Sequence, residues 1–297
     1  MTALVLGVFL ASAAGKPVAA GASGDDWDLR WMVAPPSGAV AVAPPPRATP
    51  ELRALGRTLY QSRCAGCHGE RGDGAGRHAP RLAIPPTDFS RGVYKLRSTP
   101  TGSLSTDADL FLTLTRGMHG TPMLPWTALS ERERWALVLQ LKSFSVRFRE
   151  ERPALAIRVP PPPKEDAALR QRGAELYGKL MCARCHGEAG AGDGAAARAY
   201  QGSLDGNVPA RDFTRGRFLR GVEMEDLYLT LRTGLEGTPM AAYDVLRDDE
   251  IWALAAYVRS LVRERPFYDL PPARTHARAP VTEARPAALF ARNKPRQ

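Results

Sequence analysis

The chain has 297 residues and four cysteines, and every cysteine lies in one of two copies of the pattern Cys-x-x-Cys-His. The copies are residues 64–68 and 182–186, which places them 118 residues apart. Composition alone would produce one such pattern about once in a thousand chains of this kind, so two copies that use every cysteine are not accidental. The pattern predicts that the chain contains an internal repeat.

Further landmarks recur around the two copies in the same order. They are Gly56 and Gly173, Tyr60 and Tyr177, Gly-Asp-Gly at 72–74 and 192–194, Asp-Phe at 88–89 and 212–213, Gly-Thr-Pro-Met at 120–123 and 237–240, and Trp135 and Trp252. We therefore expect two copies of one domain, residues 51–145 and 164–265. A proline-rich linker, residues 146–163, joins them, and its four consecutive prolines favour an extended, semi-rigid spacer.

The local sequence patterns of both copies indicate helices. Apolar residues recur at helical spacing just before the first cysteine. Thr106 is a predicted N-cap for a helix over 107–115, and Ser130 with Glu133 predicts a capping box. No alternating strand pattern is present, so the predicted class is all-α with long loops.

Cys-x-x-Cys-His has a specific chemical rationale. Its two thiols can form thioethers with the vinyl groups of haem, which places the adjacent histidine under the iron. A zinc site would need two further ligands at each copy, but only three other histidines exist in the chain, and a redox dithiol would need a βαβ context. We therefore expect two covalent haem c groups. The thiols are Cys64, Cys67, Cys182 and Cys185, and the proximal ligands are His68 and His186.

The two Gly-Thr-Pro-Met segments suggest the second axial ligand of each iron. Methionine sulfur is a common partner of histidine in haem electron carriers, and Met123 and Met240 stand at equivalent positions. Each follows a Thr-Pro that restricts the backbone. Met118 and His119 are rivals at the first site, whereas their counterparts are Leu235 and Glu236.

Taken together, these motifs resemble those of the class I c-type cytochromes, here with two domains fused in tandem. The resemblance covers about 200 residues. It implies that Gly56 and Gly173 let the first helix of each domain cross the last one closely, with Tyr60 and Trp135 packed at the first crossing and Tyr177 and Trp252 at the second. It also implies that a proline carbonyl accepts the proximal histidine proton. Pro80 suits that role in the first domain, and the second copy has Tyr200 at the corresponding place.

The ends of the chain lie outside the resemblance. Residues 3–14 form an apolar run too short to span a bilayer, which predicts a signal peptide over 1–22 and export to the periplasm. No basic residue precedes this run, and an uncleaved N-terminal anchor that holds the protein at the membrane is the alternative. No other run reaches transmembrane length. Residues 23–50 form a Pro/Ala-rich extension, and 266–297 an irregular basic tail.

The net charge of +10 invites a nucleic-acid reading, but its distribution argues against one. Residues 51–144 carry +5, residues 164–265 carry −1 and the tail carries +4, with no dense basic helix.

Six-coordinate irons would leave only outer-sphere electron transfer, so the expected function is a dihaem carrier between redox proteins and not an enzyme, although it can be the cytochrome subunit of an oxidoreductase complex. Its partners would be acidic or membrane-bound redox proteins. The alternative is a dihaem peroxidase-like enzyme with one open or switchable haem, in which His119 or Glu236 serves as the acid–base group.

Overall fold

The computed structural model describes residues 42–197 and 208–264 of the chain. Those residues are helical and contain no β-strand, which confirms the predicted all-α class. The predicted signal segment 1–22, most of the extension 23–50, Tyr200 and the basic tail 266–297 lie outside the described residues. None of the described helices has both the length and the apolar character needed to span a membrane.

Each copy of the repeat is built from the same helices in the same order. The helices are α1 (Pro50–Arg63), α2 (Ala65–His68), α3 (Asp107–Arg116), α4 (Glu131–Ser143), α5 (Arg147–Glu150), α6 (Ala167–Lys179), α7 (Ala183–His186), α8 (Met224–Thr233) and α9 (Asp248–Ser260). Short 3₁₀ turns lie at Ala79–Arg81, Phe89–Arg91, Ala195–Ala197 and Phe213–Arg215. Helix α5 is short and falls in the segment predicted as the linker.

The helix starts predicted from the sequence are confirmed in the first domain. The Thr106 hydroxyl accepts a hydrogen bond from the N–H of Asp109 at 3.0 Å, and the Asp109 carboxylate accepts one from the N–H of Thr106 at 2.9 Å. Ser130 and Glu133 make the same reciprocal pair at the start of α4. Both boxes satisfy N–H groups that the first helical turn leaves without partners.

The first and last long helices of each domain cross in close contact at a glycine. A Cβ atom built on Gly56 would overlap the carbonyl oxygen of Ala136, and one built on Gly173 would overlap that of Ala253. Backbone atoms cannot move aside cheaply, so only glycine permits α1 to cross α4 and α6 to cross α9 at this distance. The crossing expected from the resemblance is therefore confirmed in both domains.

Both domains bury an aromatic core beside this crossing. Tyr60, Trp135, Tyr177 and Trp252 are each less than 5% exposed. Trp135 stacks on Phe111 with ring centroids 4.4 Å apart, and Trp252 lies 4.5 Å from the ring of Tyr228 on the neighbouring α8. In each domain the tryptophan of the last long helix thus packs against a ring on the helix before it, α3 or α8.

The linker contacts both domains instead of standing free between them. The N–H of Ile157 donates to the carbonyl of Ser98 at 2.8 Å, and that of Ala154 donates to the hydroxyl of Ser103 at 2.8 Å. Ile157 and Val159 pack against the core of the second domain. The segment therefore helps to fix the two domains relative to each other.

Buried charges join the two domains. The guanidinium of Arg97, which is fully buried, donates to the carbonyl of Thr233 at 2.8 Å and lies 3.1 Å from the carboxylate of Glu236. Arg220 of the second domain donates to the carbonyl of Arg97 at 2.8 Å, and Arg116 pairs with Asp226 at 3.2 Å. Such buried contacts hold the domains in one arrangement.

Candidate haem sites

The first domain contains a cavity that brings the predicted haem ligands together. It holds about 1310 Å³ of empty space, its open mouth included, and its wall contains Cys64, Cys67, His68 and Met123. The remainder of the wall is mostly apolar, with Leu82, Ile84, Phe89, Leu110 and Leu114 among the contributors. A large apolar cavity with a few convergent polar groups is the usual form of a cofactor site.

The two cysteines and the histidine of the first site lie together beside the cavity. Helix α2 carries Cys67 and His68, and Cys64 precedes it immediately, so all three side chains follow one short turn. Burial raises the pKa of the Cys64 thiol to about 12 because water cannot solvate a thiolate there. The thiol therefore stays protonated and neutral against the apolar wall.

Both proximal histidines are oriented by a backbone carbonyl. The Nδ1 atom of His68 lies 3.1 Å from the carbonyl oxygen of Thr87, and Nδ1 of His186 lies 3.1 Å from that of Arg211. A carbonyl oxygen can only accept, so Nδ1 carries the proton and Nε2 keeps its lone pair for a metal. The expectation that Pro80 supplies this carbonyl is wrong. Thr87 and Arg211 are equivalent residues, each directly before Asp-Phe in its copy of the repeat.

Two aromatic side chains complete the support of each histidine, and the sequence reasoning missed the role of both. The ring of Phe89 stacks on His68 with centroids 4.5 Å apart, and Phe213 stacks on His186 at 4.3 Å. The hydroxyl of Tyr60 donates to the carbonyl of Gly69 at 2.7 Å, and a matching bond fixes the turn after His186. The phenylalanine and the tyrosine recur at equivalent positions in both copies of the repeat, and this recurrence is the sequence signal that could have identified them.

The two methionine segments fold into the same turn. In the first, the Thr121 hydroxyl donates to the carbonyl of Met118 at 2.7 Å and accepts from the N–H of Met123 at 3.1 Å. In the second, Thr238 makes the same two bonds, to Leu235 and Met240, at 2.7 and 3.2 Å. The threonine that the two copies share, Thr121 and Thr238, thus holds the backbone that presents each methionine.

The rival ligands of the first site have different positions. Met118 lies in the same cavity wall as Met123. The backbone N–H of His119 donates to the carbonyl of Leu219 in the second domain at 3.2 Å. Burial lowers the pKa of the His119 ring to about 4, with the charge of Arg116 contributing. His119 therefore belongs to the contact between the domains.

Two buried donors of residues that line the first cavity have no acceptor among the described residues. They are the hydroxyl of Tyr94 and the indole N–H of Trp126, and both residues line the cavity. A buried donor without a partner is costly, so a ligand with acceptor groups fits this wall. The matching positions in the second domain are Phe218 and Tyr243. The two sites therefore differ in hydrogen-bonding capacity.

The second site is built from equivalent residues. Cys182, Met240 and Tyr243 pack against the core of the second domain, and the sulfur of Cys182 lies 4.0 Å from the Tyr243 hydroxyl. Cys185 and His186 lie on α7, directly after Cys182. The second copy thus repeats the arrangement of cysteines, histidine and methionine around one core.

Comparisons with known proteins identify a family for both copies of the repeat. The family model described as cytochrome c matches residues 53–145, and the one described as cytochrome c oxidase, cbb3-type, subunit III matches residues 168–258. No curated protein matches the chain. A chain of the reducing HAO-like protein complex of Kuenenia stuttgartiensis is 38% identical, with a TM-score of 0.71, and the match covers 74% of this chain and all of that one. The thiosulfate dehydrogenase TsdBA of Marichromatium purpuratum matches at 19% identity and a TM-score of 0.28, over 75% of this chain and 50% of that chain.

Proposed function

Because the chain belongs to the class I c-type cytochromes, as a tandem of two such domains, we propose that it is a dihaem electron carrier with histidine and methionine on each iron. The observation that carries this proposal is the first cavity, where Cys64, Cys67, His68 and Met123 meet in one apolar wall. When bound, haem supplies an iron that accepts and releases one electron. Two cytochrome c domains imply covalently bound haem c.

The described residues fit that group. In each domain the two cysteines would form the thioethers, and the histidine would bind iron through the Nε2 atom that its carbonyl contact leaves free. Met123 and Met240 would be the second axial ligands. The unpaired donors of Tyr94 and Trp126 suit the carboxylates of a haem in the first domain.

The apolar wall and the methionine turns support a carrier over an enzyme. A peroxidase-like site needs an open iron and a free acid–base group beside it. Glu236 is instead paired with the buried Arg97, and the backbone of His119 is bound to Leu219 of the second domain. With both irons six-coordinate, this chain would transfer electrons without binding a substrate.

We further propose that the carrier works in the periplasm and docks a redox protein. The apolar run at residues 3–14 supports export, and an uncleaved run would keep the protein at the membrane. The similar chain from Kuenenia stuttgartiensis is part of a protein complex, which supports a partner subunit for this one. The net charge of +5 on residues 51–144 favours an acidic surface on that partner.

The ligand assignment is tested by substituting each methionine of the first cavity. Met123→Ala should remove half of the methionine-to-iron charge-transfer band at the red end of the oxidised spectrum, because one of two irons loses its sulfur. Met118→Ala, in the same wall, should leave the band intact. Met240→Ala should remove the other half. Loss of the band in Met118→Ala, or a high-spin spectrum in the unmodified protein, would overturn the assignment.

A further inference from the structure

Arg211 of the second domain is equivalent to Thr87 of the first domain, but the two residues share only part of their contacts. Its carbonyl oxygen accepts from Nδ1 of His186 at 3.1 Å, as the carbonyl of Thr87 does for His68. The backbone role is therefore common to both copies of the repeat. The side chains differ, because Thr87 is short and uncharged whereas Arg211 carries a guanidinium on a long stem.

That side chain reaches the other domain. Arg211 is part of the wall of the first cavity, together with Met123 and Leu219. Its Nη1 atom lies so close to Gly120, in the methionine segment of the first domain, that a Cβ atom built there would stand 2.7 Å from it. One residue thus contacts the proximal histidine of the second site through its backbone and the cavity of the first site through its side chain.

The charge of Arg211 calls for an anion at this place. Burial disfavours the charged form and lowers the pKa of Arg211, while the carboxylate of the adjacent Asp212 offsets part of this effect. A guanidinium is planar and presents several donors, which suits it to a carboxylate. Each haem brings two carboxylates, and the donors of Tyr94 and Trp126 line the same cavity.

We propose that Arg211 serves both haem sites at once: its carbonyl orients His186 of the second site, and its guanidinium pairs with a carboxylate of the haem in the first site. This inference rests on the proposed function, because it requires both haems. It makes Arg211 a positioning residue that raises the reduction potential of the first haem, since a nearby cation favours the reduced iron.

The test compares charge-removing variants of the full-length dihaem protein by spectroelectrochemical titration. Arg211→Met and Arg211→Gln keep the carbonyl and remove the charge. We expect the equilibrium constant for reduction of the first haem to fall about tenfold, which lowers its reduction potential by 59 mV for one electron. The reduction potential of the second haem should change much less. Arg211→Lys should recover part of the loss. The wave of the first haem is identified by its displacement in Met123→His.

The matched control is Arg215→Gln. Arg215 lies four residues further along the chain, is more than half exposed and pairs with Asp212 at 3.2 Å. Its substitution therefore removes an equal charge at a side chain that is not part of the cavity wall. Potentials of the first haem that agree between the Arg211 variants and Arg215→Gln would overturn the proposal, as would a shift confined to the second haem. Haem content and the methionine band are measured alongside, because their absence in the unmodified protein would instead contradict the proposed function.

Discussion

At the scale of single residues, one tyrosine hydroxyl in each domain fixes the turn behind the proximal histidine. Tyr60 is fully buried and donates to the carbonyl of Gly69, and Tyr177 does the same to Gly187. The bond anchors the end of the Cys-x-x-Cys-His segment to the first long helix. Burial raises the pKa of both phenols, so the hydroxyl remains a donor at all ordinary pH values.

Tyr60→Phe should lower the free energy of unfolding by about 0.5–1.5 kcal/mol, because the buried carbonyl of Gly69 loses one of its two hydrogen bonds and keeps the one from the N–H of Gly72. Chemical denaturation of the haem-loaded protein measures the change. Tyr257→Phe is the control, since that ring is only partly buried and makes a T-shaped contact with Tyr177. Equal stabilities of Tyr60→Phe and Tyr257→Phe would show that the hydrogen bond contributes nothing.

The residue scale also shows where sequence reasoning failed. Cysteines, histidines and methionines are identified by chemistry that only their side chains possess, so the sequence points to them directly. The group that orients each histidine is a backbone carbonyl, which every residue type carries. Its place depends on the path of the loop, and that path brings Thr87 rather than Pro80 to His68. A proline twelve residues beyond the histidine was therefore no guide.

At the scale of elements, the helices were largely predictable because their signals are local. Caps act within four residues, and the predicted Thr106 N-cap and Ser130 capping box are both present, with Thr106 forming a full box as well. The crossing glycines were expected from a family resemblance instead, since nothing in the sequence around Gly173 says which backbone it approaches. The structure supplies that partner, the carbonyl of Ala253.

Two glycines of the same helix α6 give opposite predictions. Gly173→Ala should destabilise the second domain by about 1–3 kcal/mol, because the new methyl group overlaps backbone of α9. Gly178→Ala should stabilise it by up to about 1 kcal/mol, because a Cβ there meets no atom within 4 Å and alanine favours the helix. Thermal unfolding of both variants measures the pair, and a Gly173→Ala protein as stable as the parent would disprove the close crossing.

At the scale of the whole molecule, the chain is two similar domains whose methionine segments are each held by the other domain. Arg97 of the first domain binds Thr233 and Glu236, just before Met240. Arg211 of the second domain lies against Gly120, just before Met123. These partners are more than 90 residues apart in sequence. No local pattern links them, so the sequence predicted a semi-rigid proline-rich spacer between two domains and not this mutual contact.

Arg97→Met should loosen this arrangement. The substitution keeps an unbranched apolar stem but leaves the carboxylate of Glu236 without its buried cation, while the carbonyl of Thr233 keeps only the hydrogen bond from the Thr101 hydroxyl. Removing one partner of a buried ion pair costs about 3–5 kcal/mol, and the lower end applies here because Glu236 keeps some contact with solvent. We expect the single unfolding transition of the two joined domains to separate into two, and small-angle scattering to report a larger radius of gyration.

The control for this prediction is Arg53→Met on the exposed face of α1, which removes the same charge away from the domain contact. Glu236→Gln in combination with Arg97→Met completes a double-mutant cycle, whose coupling energy isolates the pair from the hydrogen bond to Thr233. If the cycle shows no coupling and the radius of gyration stays at the parent value, the domains are held by other contacts. If coupling is found, Arg97→Met should also shift the reduction potential of the second haem, because its partner Glu236 lies four residues before Met240.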